Sequence, residues 1–203
     1  MLVTENTLDE WVRGHSRDAQ GVIVELLWRL VAAAAPRPKD RRFPLGDSIG
    51  QHGPDGFLDV DLGVGPFVPE GPSYWEVGTG LNAGDKATSD YSDLTTATPL
   101  DVRKASTFVF VTPLSGRRDW EGSWKPNSQL DWIDRRLKLA DWKDVRAIDG
   151  TKLVDWLHSY PAVELWLAQQ MGLGVIGQID TLGQHWALTE SIGDPPPLLP
   201  DLK

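Results

Sequence analysis

The run at 107–112, TFVFVT, constrains this chain more than any other stretch. An unbroken succession of β-branched and aromatic residues suits a strand covered on both faces, so the fold must contain a sheet with other elements packed on either side. Residues 55–63, DGFLDVDLG, alternate Leu58, Val60 and Leu62 against Phe57, Asp59 and Asp61, the period-two pattern of a strand with one apolar face. SYWEVG at 73–78 reads as its partner, and the Pro- and Gly-rich segment between them suits a wide hairpin connection better than a tight primed turn. A further strand is expected near 142–148.

Helical patterning surrounds these strands. Thr7 followed by Glu10 fits a capping box, and Leu8, Trp11, Val22, Leu26, Leu27 and Leu30 recur at helical spacing as far as Ala35, predicting a long first helix broken near Gly14 or Gly21. The segment Pro36 to Arg42 carries Arg37, Lys39, Arg41 and Arg42 and reads as a basic, exposed connector. A short helix is expected from about Asp85 to Leu94. Two more follow in DGTKLVDWLHSY and PAVELWLAQQMG, with Pro161 in a first turn and Gly172 after a last one. The order predicts an α/β or α+β fold, a mixed central sheet flanked by helices with extra helices at the C-terminal side. Residues 1–190 are expected to form a single domain, and 191–203, rich in proline, read as a linker to a downstream region.

Composition sharpens what such a fold can do. With 203 residues, 40% hydrophobic and 24% charged, the chain can bury a sizeable core. The absence of cysteine excludes disulfides, thiolate nucleophiles and Cys-ligated metals. The longest apolar stretch, Val22 to Ala35, is interrupted by Glu25 and Arg29, and the N-terminal residues are acidic, so neither a membrane span nor a secretion signal is supported and the cytoplasm is expected. A net charge of -9 argues against a protein that coats nucleic acid with its whole surface, and leaves room for a local basic cleft. Seven of the 10 tryptophans lie in the last 84 residues, where core and interface packing is the first expectation.

Three charged residues stand out as carriers of chemistry. Asp55 stands at the mouth of the first strand, Glu76 inside the second and Lys86 just beyond. Pairing of the two strands would bring the carboxylates of Asp55 and Glu76 to one end of the sheet, as hard oxygen ligands for Mg²⁺ or Mn²⁺. A nearby ammonium could orient water or stabilise charge on a phosphate. Each residue also has a plainer reading. Asp-Gly is a common turn pair, a lysine is ordinarily solvated, and Glu25 could simply pair with Arg29 at i,i+4. Glu76 is the most telling, because a carboxylate in a buried strand is costly unless paired or metal-bound. Asp59 or Asp61 could replace Asp55 if the strand register were shifted.

The residues Pro54-Asp55, Glu76 and Lys86 resemble the PD-(D/E)xK restriction-endonuclease-like nucleases, whose hallmark is an aspartate at one strand and an acidic-x-Lys on the next, within an αβββαβ core. Gly78 stands where the motif lysine belongs, so the resemblance places that lysine at Lys86. The phrase SYWEVGTGLNAGDKATSDY is similar to N-terminal nuclease modules of bacterial defence proteins that carry a large NTPase sensor downstream. The resemblance implies a Mg²⁺- or Mn²⁺-dependent endodeoxyribonuclease with Asp55 and Glu76 as ligands, Lys86 as the charge-stabilising or water-orienting group, and Glu25 on the first helix as an auxiliary ligand. It also implies antiphage defence and self-association through the downstream sensor.

A Walker A reading of GTGLNAGDKA fails, since Asp85 precedes Lys86 and Ala87 stands where a hydroxyl belongs. His15, His52, His158 and His185 have no ligand-like spacing, and only His52 lies near Asp55 in sequence. For DNA contact the chain offers Arg37, Lys39, Arg41 and Arg42, then Arg103 and Lys104, then Arg117 and Arg118; the expected path uses Arg41, Arg42, Arg117 and Arg118. The competing expectation is a catalytically inactive nuclease-like module that docks proteins through its Trp-rich C-terminal helices.

Overall fold

The computed structural model describes residues 1–15, 18–46, 53–115 and 128–174. Among them lie, in chain order, α1 (Glu5–Gly14), α2 (Ala19–Ala34), β1 (Asp40–Arg42), β2 (Gly56–Val60), β3 (Gly71–Val77), α3 (Ala83–Ala97), α4 (Leu100–Ala105), β4 (Thr107–Val111), α5 (Ser128–Leu139), β5 (Asp144–Ile148), α6 (Gly150–His158) and α7 (Pro161–Gln170). The strands form one five-stranded sheet in the order β1-β2-β3-β4-β5. β1, β2 and β3 are antiparallel neighbours, whereas β3, β4 and β5 run parallel, so the sheet is mixed and flanked by helices.

β4 is buried at all five positions, and its alternation explains how. Val109 and Val111 join a cluster with Leu26, Leu30, Leu58, Trp75, Val77 and Trp156, contributed by α2, α6 and the sheet. Phe108 and Phe110 join the opposite cluster, with Ala87, Tyr91, Trp132 and Trp142 from α3, α5 and the loop before β5. Burying a side chain of this size stabilises by about 1.5–3 kcal/mol relative to exposure, so the strand anchors both layers. Trp132, Trp142 and Trp156 are thus core residues and have no free face for docking. Trp120, Trp124 and Trp186 lie outside the described residues.

Several local expectations change. The capping box belongs to Thr4 and Thr7 instead of Thr7 and Glu10: the Thr7 amide donates to Thr4 Oγ1 at 3.2 Å and the Thr4 amide to Thr7 Oγ1 at 2.9 Å. A threonine at the third position can reciprocate where the usual motif has Glu or Gln. The helical stretch breaks after Gly14, and Gly21 sits within α2. The connector is not wholly irregular, because Asp40–Arg42 pair with β2 as an edge strand, with Arg41 opposite Leu58 and Arg42 opposite Phe57. Leu62 is exposed and falls beyond β2, which ends at Val60. α3 is longer than expected, and α4 adds one more short helix before β4.

The first residues are held by a buried carboxylate. Glu164 Oε1 on α7 accepts from the amides of Leu2 at 2.6 Å and Val3 at 3.1 Å, and His158 Nε2 donates to the Val3 carbonyl at 3.0 Å. Among the described residues no helix is long and apolar enough to cross a membrane. Residues 191–203 lie outside the described residues.

Candidate metal centre

The antiparallel register of β2 and β3 builds the site. Gly56 pairs with Trp75, so the next residues outward, Asp55 and Glu76, fall side by side. Strand alternation turns Trp75 and Val77 into the α2 layer and leaves Glu76 on the side of α3. The same register sets Asp59 opposite Pro72, toward the other end of β3, and Asp61 is paired with Lys39 at 2.6 Å. Neither of these aspartates reaches Glu76.

Asp55 is fixed by two groups. Its Oδ2 accepts the Val77 amide at 2.8 Å and Gln20 Nε2 at 3.2 Å, and the strand register sets it beside Glu76. Gln20 Nε2 also donates to the Val77 carbonyl at 3.1 Å, and its Oε1 accepts from Thr79 at 3.3 Å. The first turn of α2 is thereby stitched to the end of the strand pair. Burial raises the Asp55 carboxyl above its ordinary value and the Val77 amide opposes the shift. Glu76 is pushed up to about 8 by burial first, then by the charges of Asp55 and Asp90, with Lys86 acting against them. Burial and the neighbouring carboxylates thus both favour the protonated form of Glu76, as expected where two like charges are brought close.

Lys86 enters from α3, with its amide bonded to the Asn82 carbonyl in the first turn. A Cβ on Gly78 would lie 2.6 Å from Phe110 Cζ and 3.0 Å from Lys86 Cγ. The lysine stem thus runs through the space that a side chain at 78 would need. This gives a steric account of why glycine stands at that position. Lys86 Nζ donates to Asp90 Oδ1 at 2.5 Å. Burial disfavours the ammonium, but the bond and charge of Asp90, together with the charges of Glu76 and Asp55, outweigh it and raise its pKa.

These groups line a cavity of about 440 Å³ with Gln20, Gly53, Asp93, Leu94 and Ala97. It contains four carboxyl groups and one ammonium. Among the described residues no cluster of three or more His, Asp or Glu is arranged to hold a metal ion. The pair Asp55 and Glu76 nevertheless suits a hard divalent cation of the Mg²⁺ type, which binds through one or two carboxylates and completes its shell with water and phosphate oxygens.

Other expected site residues are placed apart. Glu25 accepts from Arg29 Nη2 at 2.7 Å, and Arg29 lies 4.3 Å from the Trp166 ring centroid, so this carboxylate faces α7 and does not line the cavity. Gln20, five residues earlier, is the α2 residue that reaches Asp55. Arg41 lies over Trp28 and Arg42 over Phe57, and both line a neighbouring cavity of about 500 Å³ that shares Gly53 with the first. Arg103 pairs with Asp141, and Lys104 donates to the Ala140 carbonyl; both precede β4, at the end of the parallel strands opposite Glu76. Arg117, Arg118 and His52 lie outside the described residues. Comparison of the chain with family models, curated proteins and solved structures finds no match.

Proposed function

We propose that this chain is a Mg²⁺- or Mn²⁺-dependent endodeoxyribonuclease with a restriction-endonuclease-like core, acting in the cytoplasm as the effector module of an antiphage defence protein whose downstream region brings copies together. One observation carries the reading. Asp55 and Glu76, distant in sequence, meet as carboxyls at a strand end, the first half-buried and the second buried, and the Lys86 ammonium, held by Asp90, lines the same cavity. The succession α2-β1-β2-β3-α3-α4-β4, an αβββαβ order when the short α4 is counted with α3, supports the same reading.

The chemistry follows from the residues. A divalent cation, when bound, supplies Lewis acidity and neutralises charge on the phosphate. Asp55 and Glu76 hold it, and the Val77 amide and Gln20 hold Asp55 in place. The Lys86 ammonium donates to a non-bridging phosphate oxygen or to the attacking water, offsetting the charge that develops as the phosphodiester is cleaved. Arg41 and Arg42, together with Arg117 and Arg118, contact the DNA backbone, which lets an acidic chain bind a polyanion locally. Glu25 serves α2 through Arg29.

Plasmid nicking in Mg²⁺, with EDTA as control, tests the proposal. Asp55→Asn and Glu76→Gln are expected to lower cleavage about a hundredfold or more while the variants melt cooperatively, and Lys86→Ala to lower turnover more than cation binding. Undiminished cleavage by the carboxyl variants, in preparations free of other nucleases, overturns the assignment.

A further inference from the structure

The proposed nuclease site contains a residue with no place in the three-residue reading. Asp90 follows Lys86 by one turn of α3, its side chain is only 8% exposed, and it lines the same cavity. Oδ1 takes the Lys86 ammonium at 2.5 Å, while Oδ2 is buried and accepts no hydrogen bond among the described residues. A buried carboxylate is costly without full pairing, and a surface lysine needs no buried partner. Ordinary helix stabilisation by an i,i+4 pair is worth a few tenths of a kcal/mol and does not call for burial of the acid.

The electrostatics of the cavity supply the reason. Lys86 has a long stem with free rotamers, and Asp55 and Glu76 attract its charge. Left to itself, the ammonium would settle on that pair and hold the position that suits a divalent cation. With a formal charge matched to that of the lysine and a bond one helical turn away, Asp90 holds the ammonium to the α3 side of the cavity.

Resting on the nuclease reading, we propose that Asp90 is a positioning residue that keeps the Lys86 ammonium off the Asp55–Glu76 pair, so that lysine and divalent cation occupy the site together. Asp90 does not itself bind the cation; it prevents an internal competitor from doing so.

The test is a double-mutant cycle read by Mn²⁺ binding, followed by electron paramagnetic resonance of the free ion with no DNA present. Asp90→Asn is expected to raise the Mn²⁺ Kd about tenfold, and Lys86→Ala in the same background to return it to the wild-type value. Lys86→Ala alone is expected to leave Mn²⁺ affinity equal or tighter. If Asp90→Asn leaves the Kd unchanged, or weakens it equally with and without Lys86, the inference is overturned; the second result would mark Asp90 as a ligand or a structural residue. Thermal melts accompany each protein, and Asp90→Ser replaces Asp90→Asn in the cycle should the latter not fold. The two readings fail separately. A wild-type protein that shows the expected cycle but cleaves no DNA in Mg²⁺ or Mn²⁺ refutes the nuclease and leaves the positioning role, whereas active protein with a flat cycle refutes only the positioning role.

Discussion

Lys86 Cγ lies 3.0 Å from the point where a side chain on Gly78 would begin, so the two positions compete for one volume. Gly78→Ala must displace Phe110, which is fully buried, and it crowds the lysine stem as well. Overpacking of this kind costs about 1–3 kcal/mol. The expected outcome is a lower denaturation midpoint, from the displaced Phe110, together with reduced cleavage, from the crowded lysine stem. Wild-type stability and turnover in Gly78→Ala would show that the space is not shared.

The raised carboxyl of Glu76 ties stability to pH. Its pKa is near the ordinary 4.5 in the unfolded chain and about 8 in the fold, so between those values the folded state holds a proton that the unfolded state has lost. Its contribution is complete below about 4.5, declines as pH rises, and is gone above about 8, with a slope of at most about 1.4 kcal/mol per pH unit. Asp55 and Asp90, also raised by burial, act in the same direction. Urea denaturation of metal-free protein across this window should show the decline, and Glu76→Gln should flatten it. The added stabilisation by Mg²⁺ should grow over the same range, since the cation favours the ionised pair.

Glu164 has the opposite sign. Burial pushes its carboxyl up, but the amides of Leu2 and Val3 and the nearby His158 outweigh that and lower it below the ordinary value. The stability it contributes is present above about 4.5 and is lost as pH falls through the lowered folded value. Glu164→Ala leaves two backbone donors without their acceptor and is expected to cost about 1–3 kcal/mol at pH 7. The difference from wild type should shrink on acidification in chemical denaturation; a constant difference would argue for packing alone.

Arg41 and Arg42 stand on the edge strand beside the site, over Trp28 and Phe57. Replacing both by alanine is expected to weaken DNA binding about equally across sequences and to reduce the slope of log K against log salt by roughly one to two units. Fluorescence anisotropy in Ca²⁺, which suppresses cleavage, measures this. An unchanged slope would move the DNA path away from β1.

The parts of the structure legible in the sequence are those whose signals are local. The run in β4 announced a strand covered on both sides, and the alternation in β2 fixed which of its residues face α2. The meeting of Asp55 with Glu76 followed from one hairpin. No spacing within the helix marks Gln20, whose role comes from where α2 crosses the strand end; Glu25 is conspicuous only as an acid on an apolar helix. Asp90 stands at i,i+4 from Lys86, a signal present in the sequence but ordinarily worth little. What distinguishes it is burial, which depends on the packing of α3 over the sheet. β1 is short and rich in charge, and only its pairing with β2 makes it a strand.

The hydrogen bond from the Val77 amide to Asp55 has a consequence for observation. A proton on the last residue of β3 is held by the carboxyl that would receive the cation, so the ionic state of the cavity is written onto the main chain. Deuterium uptake at that one amide would therefore report a cation bound in the cavity, readable in the intact protein without substrate or turnover.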